Sequence, residues 1–180
     1  VPACAHFGTC GGCSMQHLDA LAQAAAKQRM LEDALWHIGK VEPEIIHALI
    51  HGPAWGYRHR ARLSVRVVPS KGGVLIGFHQ KRSSHIADMQ SCAVLPAQIS
   101  ALVPALHALI AGLSIADRVP QIEIAVSDTA TAFVFRHLLP FSARDLNALT
   151  TFADTHDIQV WLQPAGPETA ALHHPQDGAG

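Results

Sequence analysis

From Tyr57 to Val68 the chain alternates: Leu63, Val65 and Val67 fall on one face, and Arg58, Arg60, Arg62, Ser64 and Arg66 on the other. That period of two marks a half-buried strand. Ser70-Lys71-Gly72-Gly73 supplies a turn, and Val74 to Gln80 reads as the returning arm of a hairpin. A further short strand over 84–89 leads into Cys92. A second hairpin is predicted from Gln121 to Val126 and Thr131 to Leu138, and a last strand from Ile158 to Gln163. Helical spacing appears elsewhere. Leu18, Leu21, Ala25, Leu31, Leu35 and Ile38 predict one long helix from about Met15 to Ile38, with Gly39 as its stop. A second helix spans Leu95 to Leu113, with Ile99, Leu102, Leu106 and Leu109 or Ile110 along one side. Pro96 suits its first turn, and Pro104 interrupts its interior. Ser142 caps a third helix running to about His156, with Asp145 completing an imperfect capping box. A short strand is expected around Ile45 to Leu49. The Pro-, Gly- and Ala-rich stretch 165–180 is expected to be loose.

Strands arrive as hairpins and do not alternate with helices. The predicted fold class is therefore α+β: an antiparallel β-sheet of hairpins packed against helices on one face, with an N-terminal Cys-rich cluster-binding loop. The arginine face of the first strand is then the uncovered one. The two hairpin-then-helix units read as distant echoes of each other. With 180 residues, 49% of them hydrophobic, the chain can build the core of one domain. No apolar run approaches the ~20 residues of a membrane span, so no membrane partner is expected.

Net charge is −1, which alone argues against a polyanion binder. The distribution argues the other way. Between Glu44 and Asp88 there is no acidic residue, and the stretch holds Arg58, Arg60, Arg62, Arg66, Lys71, Lys81 and Arg82. Arginines in a row, with no carboxylate facing them from a neighbouring strand, repel one another. A polyanion relieves that repulsion. Arg58, Arg60 and Arg62, extended by Lys81 and Arg82, are the candidate phosphate-binding track of a polyanion site. Trp55 and Tyr57 beside it could stack a splayed base, although packing is the commoner role for Trp55. His59 falls on the apolar face and is expected to be packed. Trp36 is expected in the core, and His173-His174 in a solvated tail. Asp88, Glu123 and Asp128 do not form a catalytic carboxylate pair.

The cysteines are four. Cys4, Cys10 and Cys13 lie within ten residues as C-x5-C-x2-C, and Cys92 stands alone. So few cysteines in so long a chain do not make a disulfide scaffold, and they favour a reducing cytoplasm. A Cys10–Cys13 redox pair leaves Cys4 unexplained. Four thiolates select an iron–sulfur cluster or zinc, and spacing alone leaves both open. Gly11 and Gly12 let the loop wrap closely and aim backbone N–H groups at sulfur. The helix expected after the loop would turn its positive end toward the centre.

The run Cys4-x-His6-Phe7-Gly8-x-Cys10-Gly11-Gly12-Cys13-x-x-Gln16-His17 closely resembles the cluster motif of the RumA-type (RlmD) RNA (uracil-5-)-methyltransferases. Tyr57-Arg58-His59-Arg60-Ala61-Arg62-Leu63, Ile76-Gly77-Phe78, the stretch from Ser84 to Asp88, Cys92-x-x-Leu95 and Leu162-Gln163-Pro164-x-Gly166-Pro167 resemble the same family's central domain. Ala5 departs from the family's frequent proline without touching a ligand. The resemblance implies that Cys4, Cys10, Cys13 and Cys92 hold a [4Fe–4S] cluster. It also implies an enzyme that methylates uridine at C5, with 23S rRNA as substrate. S-adenosylmethionine belongs to the full-length enzyme only, and the protein is expected to be a cytoplasmic monomer. The expected division is a cluster-binding loop over 1–18, closed by Cys92, an RNA-recognition domain over 19–163 and a loose edge over 164–180. The TRAM domain and the S-adenosylmethionine-dependent catalytic domain would lie outside this chain. No residue here is a catalytic candidate, since the cluster uses all four cysteines. The competing reading is a stand-alone Cys4 module, zinc or iron–sulfur, that binds nucleic acid without catalysis. A radical S-adenosylmethionine enzyme is disfavoured, because its C-x3-C-x2-C spacing is not the one present.

Overall fold

The computed structural model describes residues 2–71 and 73–175. Among them lie three α-helices, α1 (Ala20–Ala34), α2 (Ala97–Gly112) and α3 (Ala143–His156). There are six strands: β1 (Arg60–Val68), β2 (Gly73–Gly77), β3 (Gln121–Val126), β4 (Thr131–Arg136), β5 (Gln159–Gln163) and β6 (Ala171–His174). The strands form one sheet in the order β2-β1-β3-β4-β5-β6.

Both predicted hairpins form, β1 with β2 and β3 with β4, each antiparallel. The sheet as a whole is mixed, not antiparallel as expected, because β5 runs parallel to β4. The reason is the connection. A helix between two neighbouring strands carries the chain back to its starting end, and α3 does this between β4 and β5. The tail differs too: residues 171–174 are not loose but pair with β5 as an antiparallel edge strand. His173 and His174 are thereby fixed, through Thr150 Oγ1 at 3.1 Å and Asp154 Oδ1 at 2.6 Å. The expected strand over 84–89 is instead irregular chain that follows the end of β2, with Ala87 N–H donating to Phe78 O and Met89 N–H to Ile76 O, each at 2.9 Å. Gly77 permits this approach, since a Cβ there would lie 2.0 Å from Ala87 O.

The alternation in β1 decides which face is buried. Leu63 and Val65 point inward with Ile76, Ile122, Ile124, Phe133, Phe135 and Val160. Against them pack Ile99, Leu106 and Ile110 of α2 and Leu149, Phe152 and Ala153 of α3. Burying each such side chain contributes about 1.5–3 kcal/mol, so this layer is the main source of stability. Helix α2 runs through Pro104 unbroken, with Pro96 as its N-cap. At α3 the capping box is complete. Ser142 Oγ accepts from Asp145 N–H, and Asp145 returns the bond to Ser142 N–H.

Residues 15–59 contrast with this. Helix α1 starts five residues later than its apolar spacing suggested, buries no residue and passes into a π-helical turn, Leu35–Gly39. Its alanines give helix propensity without a core to face. Trp36, expected in the core, is 57% exposed. No strand forms over 45–49. Asp19 caps α1 by accepting from Ala22 N–H at 2.8 Å. A carboxylate of the chain therefore sits at the positive helix end that was expected to face the metal centre.

Candidate metal centre and nucleic-acid interface

The cysteine loop is built from turns. Phe7 N–H donates to Cys4 O at 3.0 Å and Cys10 N–H to His6 O at 2.8 Å, which folds the loop back on itself. It is then stitched to the chain beyond β2. Gly11 N–H donates to His79 O at 2.8 Å, Lys81 N–H to Thr9 O at 2.9 Å, and Cys10 bridges Gln80. At Gly11 a Cβ would stand 2.8 Å from His79 O, so a larger residue would force the loop off this edge. Cys92 arrives from the far side, its N–H held by Ser100 Oγ of α2 at 2.8 Å.

Cys10 and Cys92 are buried, and Cys4 and Cys13 are partly exposed. Burial pushes the Cys10 thiol up, the Gly12 N–H at 3.3 Å from its sulfur pulls it down, and the charges of Cys92, Cys13 and Cys4 push it up again. Burial likewise raises Cys92. Backbone N–H groups of Val94 and Leu95 oppose that, and Cys13 and Cys4 add to it. Cys10 and Cys92 therefore each stand within electrostatic reach of Cys4 and Cys13. Buried thiolates are unfavourable without a positive centre beside them, and the backbone N–H groups aimed at the sulfurs of Cys10 and Cys92 suit thiolate ligands. Among the described residues no three His, Cys, Asp or Glu side chains form a group that could hold a metal ion.

The basic residues divide into two groups. Arg58 does not lie in β1. Its guanidinium donates to Gly12 O at 3.3 Å and lies 5.2 Å from the centre of the Phe78 ring. Lys81 sits 4.9 Å from the centre of the Phe7 ring, and Arg82 follows with a left-handed backbone, φ 53°. Arg58, Lys81 and Arg82 share an open groove of about 560 Å³ with Gly11, Gly12 and Phe78, directly against the cysteine loop. Arg60 and Arg62 line a separate shallow groove on the open sheet face. The expectation that no carboxylate faces the arginine row fails here. Register places Glu123 of β3 opposite Arg62, and the two pair at 2.9 Å. Alternation within β1 gave no view of the strand that would lie beside it.

His59, expected to be packed, is exposed, because the regular strand begins only at Arg60. Asp88 is structural: it accepts from Ile76 N–H at 3.0 Å and lies 3.4 Å from His107. Sequence reasoning passed over the rings under the cations. Phe78, three residues before Lys81, was the available signal. It also assigned no role to Gln16, whose Oε1 is buried without a hydrogen-bond partner.

No family profile matches the chain. In fold, the sheet and helices resemble an RNA uracil-C5 methyltransferase. The *Pyrococcus abyssi* tRNA (uracil-54, C5)-methyltransferase, solved with S-adenosyl-L-homocysteine, superposes with a TM-score of 0.60 at 17% identity, over 91% of this chain and 39% of that one. In sequence the chain is homologous, over nearly its whole length, to the RlmD-type 23S rRNA (uracil-C5)-methyltransferases. It is 66% identical over 178 residues to the 23S rRNA (uracil(1939)-C(5))-methyltransferase RlmD of *Aromatoleum aromaticum*, and 60% identical over 176 residues to that of *Burkholderia lata*. The chain spans 41% and 38% of the lengths of those two relatives. Among the described residues no helix is long and apolar enough to cross a membrane.

Proposed function

We propose that this chain is the iron–sulfur, RNA-holding part of a cytoplasmic, S-adenosylmethionine-dependent enzyme that forms 5-methyluridine in 23S rRNA. The observation that supports the reading is that Cys10 and Cys92, from two remote stretches, are buried in one core cluster with Cys13 packed against it, in a chain homologous to RlmD over nearly all its length. Cys4, Cys10, Cys13 and Cys92 would ligate one [4Fe–4S] cluster. A lone zinc ion needs its thiolates about 3.8 Å apart, given bonds of about 2.3 Å. A four-iron cluster spreads its thiolates further, and the resemblance of the Cys4–His17 run to the family's cluster motif favours it over zinc. All four positions are then filled by protein, so the cluster's role here is to fix the loop that borders the basic groove.

In the groove, Arg58, Lys81 and Arg82 would hold RNA phosphates, and Arg60 would add a contact on the sheet face. Arg62 is the weakest member, since Glu123 already neutralises it. S-adenosylmethionine supplies the methyl group when bound to the full-length enzyme. The residues present do not fit it: both strand-to-helix connections, 78–96 and 137–142, lack glycine, so neither offers a Gly-rich cofactor loop. With every cysteine given to the cluster, the attacking nucleophile also belongs to the rest of the protein.

The test is methyl transfer by the full-length protein. With labelled S-adenosylmethionine and unmodified 23S rRNA, 5-methyluridine should form, while residues 1–180 alone should bind RNA and transfer nothing. Methyl incorporation by the 1–180 chain would overturn the division of labour.

A further inference from the structure

A second recess, of about 150 Å³, also reaches the cysteine loop at Gly12. Cys13, Gln16, Lys27, Trp55 and Tyr57 line it. Two features there have no structural explanation. Gln16 Oε1 is buried with no donor, an arrangement that is unfavourable unless something binds to it. Trp55 and Tyr57 are 44% and 49% exposed, two large rings two residues apart in sequence, lining the same recess and open to solvent. A ligand that satisfies all of these needs a flat π-face for the rings, an N–H group for Gln16 Oε1 and a negative charge near Lys27. An unstacked nucleotide has the three together, and the recess has room for one base.

We infer that this recess takes one splayed RNA base. Trp55 and Tyr57 supply the stacking surface, Gln16 Oε1 accepts an N–H from the base edge, and Lys27 meets the adjoining phosphate. The base is one held by this part of the protein, distinct from the uridine that reacts. The inference rests on the RNA-holding reading and extends it: the cysteine loop lies between a groove for phosphates and a recess for a base, with Gly12 common to both.

The test uses the full-length protein and two probes, single-stranded oligouridylate and an abasic ribose-phosphate oligomer of the same length. Trp55→Ala should weaken oligouridylate binding roughly tenfold, the scale of one lost base–aromatic stack. It should leave abasic-oligomer binding, and the slope of log K against log salt, as in the parent, because no phosphate contact is lost. Trp55→Phe should keep most of the affinity. Gln16→Leu, which preserves side-chain volume, should also weaken oligouridylate alone. If Trp55→Ala and Gln16→Leu bind oligouridylate like the parent while Arg58→Ala/Lys81→Ala loses affinity and salt slope, the recess is refuted and the RNA-holding reading stands. If the parent binds neither oligomer, that reading fails and the recess falls with it.

Discussion

The six-stranded sheet and the cysteine loop lie against each other yet are held by different forces. The sheet has Phe133, Phe135, Ile122 and Val160 fully buried against two helices. The loop has few apolar side chains, chiefly Phe7. It is kept in place by turn hydrogen bonds and by the Gly11–His79 and Lys81–Thr9 links, and its three cysteines form no disulfide. For a segment of that kind, metal-binding free energy is folding free energy. On the proposed reading stability and function are divided: the sheet supplies the platform, and the loop would become a binding surface only when its sulfurs are ligated.

The largest expected effect falls on the loop. Cys10→Ser should abolish metal incorporation and make residues 2–19 rapidly cleaved in limited proteolysis, while urea unfolding of the sheet shifts little. Equal protease resistance with and without the cysteine would erase the contrast. Phe133→Ala is the converse. It should cost the sheet about 3–5 kcal/mol in urea denaturation, and folded protein that remains should still incorporate metal. A loss below about 1 kcal/mol would show that the core is not where stability resides.

A smaller effect concerns how the sheet's cover is tied down. Asp145 is 1% exposed. Burial pushes its carboxyl up, but hydrogen bonds from Ser114 and Ser142 outweigh burial and hold it down from 3.8 to about 2. A depressed folded value means that the stabilisation is complete above about pH 4 and fades as pH falls toward 2. The amount is about 2 kcal/mol. Acid unfolding should show this fade in the parent and lack it in Asp145→Asn, and matching profiles would remove Asp145 from the account. The smallest effects are those of the two arginine groups. In the full-length protein Arg58→Ala should lower the salt slope of RNA binding by roughly one phosphate contact. Arg62→Ala should change RNA binding less and stability by only about 0–1 kcal/mol, since its partner Glu123 is at the surface. A larger RNA effect at Arg62 than at Arg58 would reverse the assignment of the groove.

The sequence was most readable where one face of an element is buried. Periodicity found β1, β3, β4, α2 and α3 nearly to their ends, because Leu63, Ile122, Phe133 and Leu149 each answer to the same core. It misled over α1, where Leu21, Leu31 and Ile38 keep helical spacing yet face solvent. Local patterns also cannot report which strands become neighbours. The parallel β4–β5 pair, the edge strand β6 and the Arg62–Glu123 pair all depend on that order. For the site, the cysteine spacing pointed to the four sulfurs, and the cluster is what the resemblance implies for them. The division of the cations into two grooves was not legible, because Arg58 turns toward Gly12 only once the loop has folded against β2.

The claim on which the rest depends is that Cys4, Cys10, Cys13 and Cys92 together hold one [4Fe–4S] cluster. Iron, acid-labile sulfide and zinc analysis with Mössbauer spectroscopy on anaerobically purified protein tests it directly. The account predicts about four iron and four sulfide per chain with a single cubane signature, lost when Cys92 is changed to serine. One zinc per chain without sulfide, or a cluster that persists in Cys92→Ser, would contradict it.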